Sequence, residues 1–256
     1  MMRIVVAGVV LCTAALTAGA QGSDTVFVEV GSAAINGRIF QEHAARVRIY
    51  RGDSLVAQWL NELRLGDSAG RPVMRWTTTG EKVPLNPNRP LSVLRQTYDG
   101  VTMAPLGYSS VASTGARMSL AIDGNRVRGT RRTAEDTTVQ TVDVTLERAG
   151  FFSGASDLVP VAAGLRAGTV IVAPLWSPGV TAPEYRVFAV LHDTTLTIEG
   201  ERVRARKVEE RRRGDGSLYA NWYLLTTRPY MVYGEIPLAD GRVQRMTEVG
   251  VPLSAR

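Results

Sequence analysis

The chain has one cysteine, Cys12, and two histidines, His43 and His192. Cys12 lies within the apolar run of residues 4–16, and no cysteine follows it. A small scaffold stapled by disulfides is therefore excluded. The fold must be held by buried apolar surface. A chain of 256 residues can bury roughly 70–75% of the surface its unfolded form exposes. So few histidines and cysteines show no zinc-ligand spacing. Asp193 follows His192 directly, and neighbours on a strand point to opposite faces, so the two form no simple dyad. No G-x-S-x-G elbow, H-E-x-x-H pair, phosphate loop or dinucleotide fingerprint occurs. The expectation is a protein that is not an enzyme, with no catalytic residue, no cofactor and no metal.

Long apolar runs are also missing, apart from the one at the start. Met1-Met2-Arg3 opens the chain with a positive charge, and Ala18-Gly19-Ala20 closes the run with small residues. That order is expected of a secretory signal peptide cleaved after Ala20, and the run is too short to span a membrane. Cys12 sits inside the run and not just behind it, which argues against a lipid anchor. The expected location is periplasmic or secreted, with residues 21–256 forming a single β domain. The net charge is +6, and nearly all of the positive charge is arginine. A basic surface attracts anionic polymers and lipid headgroups. In an exported protein the expected partners are a lipid or apolar small molecule, or an envelope protein, with peripheral membrane contact at most and no nucleic acid.

What the sequence does have is alternation. Residues 25–30, 46–50, 72–79, 91–98, 117–122, 126–133, 138–147 and 168–175 read as strands, with Asp99-Gly100 and Asp123-Gly124-Asn125 as turns. Residues 55–65 fit both a helix and a strand. The Gly52-Asp53 and Gly66-Asp67 turn signals on either side favour the strand. Residues 157–164 predict a helix of a turn or two, restricted by Pro160. From Tyr185 to Val249 the chain reads as a hairpin series of six short strands, punctuated by Glu199-Gly200, Asp215-Gly216 and Asp240-Gly241. A chain made almost wholly of such short strands falls in the mainly β class.

Three strands of that series are apolar on both faces, which means both faces are covered. In residues 185–191, Phe188 and Val190 oppose Val187 and Leu191. In residues 218–225, Trp222 and Leu224 oppose Tyr223 and Leu225. In residues 230–236, Tyr230 and Val232 oppose Met231 and Tyr233. Phe188, Val190, Trp222, Leu224, Tyr230 and Val232 are the candidate lining of a cavity for an apolar ligand. The alternative is a filled core with an oligomer contact. Arg202, Arg204 and Arg206 share one strand face and are the candidate contact to an anionic surface, against the alternative of a charged edge strand.

The second half of the chain also carries a resemblance. Its features are Asp157-Leu158-Val159-Pro160 through Gly168, the strand pair around Glu199–Val208, Trp222-Tyr223, Arg228-Pro229-Tyr230 and the Gly241 hairpin. Over about Gly150 to Val249 this resembles bacterial exported domains of unknown function related to the lipoprotein-localisation-factor superfamily. The resemblance implies a strongly curved antiparallel sheet, an open or half barrel with meander connections, and one or two short helices over its concave face. In that superfamily the cavity takes lipid or acyl chains. The resemblance brings no catalytic residue.

Overall fold

The computed structural model describes residues 24–253 apart from 86, 89 and 137, so the expected signal segment lies outside the described residues. Among these, sixteen strands form one sheet. The first nine are β1 (Asp24–Phe27), β2 (His43–Arg51), β3 (Ser54–Ser68), β4 (Arg71–Glu81), β5 (Ser92–Asp99), β6 (Pro105–Ala112), β7 (Arg117–Asp123), β8 (Arg126–Arg132) and β9 (Gln140–Thr145). Then come β10 (Phe151–Phe152), the helix α1 (Leu158–Ala162), β11 (Thr169–Trp176), β12 (Glu184–Ile198), β13 (Glu201–Arg212), β14 (Leu218–Leu224), β15 (Met231–Pro237) and β16 (Val243–Val251).

Two antiparallel meanders, β2 to β9 and β11 to β16, join where β16 pairs with β2 and Glu248 stands opposite Val47. β1 and β10 both run parallel to β11 on its outer edge, Val26 facing Ile171 and Phe152 facing Trp176. The sheet thus has two ends and is not closed by a ladder. Single bonds tie the ends together. The Glu147 N–H donates to the Thr181 carbonyl at 3.2 Å. Arg148 Nη1 donates to the Tyr185 hydroxyl at 2.6 Å, and that hydroxyl donates to Glu29 at 2.8 Å. The mainly β, strongly curved, open architecture expected from the sequence is the one observed.

Part of the concave side is filled by the segment between β10 and β11. All five residues of α1, Leu-Val-Pro-Val-Ala, are buried. A helix that is apolar all round has no face for water and belongs inside. Pro160 is tolerated because it falls in the first turn, where its missing N–H has no helical partner to lose. Leu158, Val159 and Val161 share one core with Phe151, Phe152, Leu63, Met74 and Trp176. The Asn36 N–H caps the helix end on the Ala162 carbonyl at 3.0 Å.

Residues 55–65 are strand, as the flanking turns predict. Ala57, Asn61 and Leu63 are buried on the inner face of β3. Asn61 interrupts the apolar alternation without breaking it, because the Thr78 hydroxyl on β4 donates to its Oδ1 at 2.8 Å. The hairpin series has five strands and not six. Residues 185–192 and 194–198 belong to one strand, β12, bent by a register shift between Val190 and Asp193. The turn into β13 has two residues, Glu199 and Gly200, both at positive φ (51° and 88°). That is the geometry of a tight primed hairpin turn. Two strands fall outside the expected ranges, because β6, with its small and polar residues, and the two-residue β10 carry little periodic signal.

Candidate functional site

Between residues 153–157, which lead into α1, and the strands β2–β5 and β14–β16 the core leaves a cavity of about 420 Å³. Exposed Pro90, Ser92 and Gly154 stand at its edge, so it opens to solvent there. Trp59, Trp76, Trp222, Met231 and Met246 belong to its apolar wall. Asn61, Thr78, Ser156, Asp157 and Glu248 supply polar groups.

Two bulges decide which side chains reach this space. On β14 the register slips between Glu210 and Arg211, which pair with Ala220 and Leu218. Tyr219 falls between them, so its ring turns to the cavity and packs over the Arg186 guanidinium, 3.9 Å from ring centroid to Cζ. On β15 a second slip pairs Tyr223 with Tyr233 but Leu224 with Met231. Val232 is the extra residue, and Met231 and Ile236 therefore both line the cavity although the four residues between them would put them on opposite faces of a regular strand. Trp222 lies directly over Gly234. A Cβ there would stand 2.8 Å from the indole ring.

Behind the wall lies a buried polar group. Glu210, fully buried, accepts from Trp222 Nε1 at 2.7 Å, Ser156 Oγ at 3.0 Å and Arg186 Nη1 at 3.0 Å. Arg186 also reaches Glu184 at 2.7 Å. Burial pushes the Glu210 carboxyl up, and Trp222, Arg186 and Ser156 act against it. Breaking such a pair from one side is costly, since it strands a buried charge.

Asp157 and Glu248 are different. Asp157 precedes α1 but makes no side-chain cap bond. Burial pushes its carboxyl up to about 7; its own backbone N–H opposes this, and the Glu210 charge adds to it. Glu248 is 3% exposed, and its Oε1 has no hydrogen-bond partner. Burial holds that carboxyl well above the ordinary range, and the charge of Asp157 adds to the effect. The buried Tyr98 phenol, which donates to Gln96 at 2.9 Å, is also raised by burial and by Asp157. Acidic groups with raised pKa gathered at a cavity mark a candidate site.

No family model and no curated protein matches the chain. Among solved structures it is similar to a β-barrel-like protein from Brucella abortus, a domain of unknown function (DUF1849). The identity is 10% and the TM-score 0.49, over 81% of this chain and 95% of that one. At that distance no activity passes from one chain to the other.

Of the six residues expected to line a cavity, Trp222 does so. Phe188, Val190, Leu224 and Tyr230 are buried in the packed core. Tyr230 forms a corner there, its hydroxyl accepting from the Gln41 N–H at 2.8 Å and its ring edge-on to Phe40 and His43. Val232 is buried at the β15 bulge. The cavity residues that alternation did not single out are Trp59, Asn61, Trp76, Asp157 and Glu248. Their signal in the sequence is a lone polar residue on an otherwise apolar strand face, as at Asn61. Of the three arginines, Arg204 and Arg206 both pair with Asp193, at 2.8 and 2.6 Å. Arg206 also donates to the Leu165 carbonyl at 2.6 Å, while Arg202 is exposed. Asp193 therefore answers two of the three charges within the chain.

Proposed function

We propose that this is an exported binding domain that holds a small amphipathic molecule in the lumen of its curved sheet and catalyses no reaction on it. The observation that carries this reading is the cavity of about 420 Å³, within the range of about 300–1,000 Å³ found for small-molecule sites. Its aromatic and thioether wall suits an apolar chain, and its few convergent polar groups suit a head. The cavity favours a ligand over the alternative of an interaction module with a filled core. Export rests on the expected signal segment, and a role in the cell envelope follows from that compartment. Kinship with the lipoprotein carriers belongs to this proposal and rests on the resemblance over residues 150–249.

Native mass spectrometry of the protein purified from its own host tests the reading. A bound small molecule, released on unfolding, is expected. Protein that arrives empty and takes up no amphiphile afterwards would sink it.

A further inference from the structure

The sign of the charge inside the cavity is opposite to that of the chain. The net charge is +6, yet the described residues lining the cavity include Glu81, Asp157 and Glu248 and no lysine or arginine. Glu81 is answered at the surface by Arg46 at 3.0 Å and Gln58 at 2.7 Å. Glu210, just behind the wall, is saturated by its three donors. That leaves Asp157 and Glu248. A carboxyl oxygen as buried as Glu248 Oε1 ordinarily has a partner, because leaving it without one forfeits the hydrogen bonds it would make in water. Beside these two groups the wall carries Trp59, Trp76 and Trp222. Indole faces with nearby carboxylates are the chemistry that recognises ammonium groups. Among the described residues no three His, Cys, Asp or Glu gather so as to hold a metal ion, which favours an organic cation over an inorganic one.

We propose that the molecule held in the lumen carries an organic cationic head, an amine or quaternary ammonium, seated at Glu248 and Asp157 against the tryptophan wall. This rests on the lumen-binding reading above and names the class of its ligand. The cation supplies the charge partner that these two carboxyls lack, and any proton displaced from them leaves to solvent. The ionisable groups around the seat are Glu210 with its partner Arg186, Tyr98, and on the cavity wall Glu81 with its partner Arg46.

Three probes of equal chain length separate the possibilities: octyltrimethylammonium, its neutral tert-butyl isostere, and octyl sulfate. Binding is read by tryptophan fluorescence and calorimetry on the mature chain. The cation is expected to bind about tenfold or more tighter than the isostere, and the sulfate weakest. Glu248→Gln, which replaces a buried acid with a neutral amide of the same shape, is expected to bring the cation down to the isostere's affinity while leaving the isostere unchanged. Asp157→Asn provides a second, independent variant with the same expectation. Equal binding of cation and isostere to the unaltered protein, preference for the sulfate, or a cation preference that survives both substitutions would overturn the cationic head and leave lumen binding standing. Failure of all three probes to bind would remove the lumen-binding reading itself.

Discussion

Two carboxylate sites on the inner strands show opposite solutions to the same problem. Asp99 ends β5 and is nearly buried. Its Oδ1 accepts from the Val101 N–H at 2.9 Å, the Thr102 N–H at 2.7 Å and the Thr102 hydroxyl at 2.9 Å, and its Oδ2 accepts from Arg71 Nε at 2.7 Å. Burial raises this carboxyl, but the donors outweigh burial and leave it at about 2. Glu248 is buried too and Asp157 half-buried, neither has four donors aimed at it, and both are raised. Burial alone does not decide the direction; the number of N–H and O–H groups aimed at the carboxylate does. The saturated site holds a turn together. The unsaturated one gives up stability.

The largest way to sharpen this contrast is Asp157→Asn. A carboxyl raised from 3.8 to about 7 favours the fold below pH 4, and that contribution is lost as pH rises to 7. The loss is on the order of 4 kcal/mol. The asparagine variant lacks it. Its urea midpoint is expected to match the parent's at pH 4 and to exceed it clearly at pH 7. Matching midpoints at both values would show that Asp157 is solvated or paired.

Asp99→Asn tests the other side with the opposite sign. A carboxyl lowered from 3.8 to about 2 stabilises above pH 4, and this is lost as pH falls through 2. The variant is expected to be about 2 kcal/mol less stable at pH 7, with the gap closing between pH 4 and pH 2. A gap that is independent of pH would point to the turn's shape and not to the charge. Thr102→Val removes one of the four donors. It is expected to cost about 1 kcal/mol at pH 7 and nothing once Asp99 is protonated, again by urea titration. No loss at pH 7 would mean that the two backbone N–H groups and Arg71 suffice.

Much of the fold was legible in the sequence. The alternation of residues 138–147 places Val142, Val144 and Leu146 against the core and Thr141, Asp143 and Thr145 in water, as observed. Asp123-Gly124-Asn125, Glu199-Gly200 and Asp240-Gly241 mark turns that are there. The cavity was less legible. Alternation assigns inner and outer faces by parity, and a bulge reverses parity with no composition signal of its own. At Val232 and Tyr219 that reversal decided which side chains reach the lumen. Glu209-Glu210 reads as an interruption among arginines, yet Glu209 pairs at the surface with Arg211 at 2.9 Å while Glu210 is the most buried ionisable side chain among the described residues.

The sequence by itself determined the class and the punctuation: a large cysteine-poor β domain, turns where glycine permits positive φ, and a short apolar helix that could not stay in water. These are local properties, fixed by backbone sterics and by the period of apolar residues. The tertiary structure alone decided that β16 would pair with β2, that α1 would fill one part of the concave side and leave another part open, and that Asp157 from the plug would meet Glu248 from the sheet. Those two residues are distant in sequence and become neighbours only when the sheet curls. Their shared burial, and with it their chemistry, is a property of the curl.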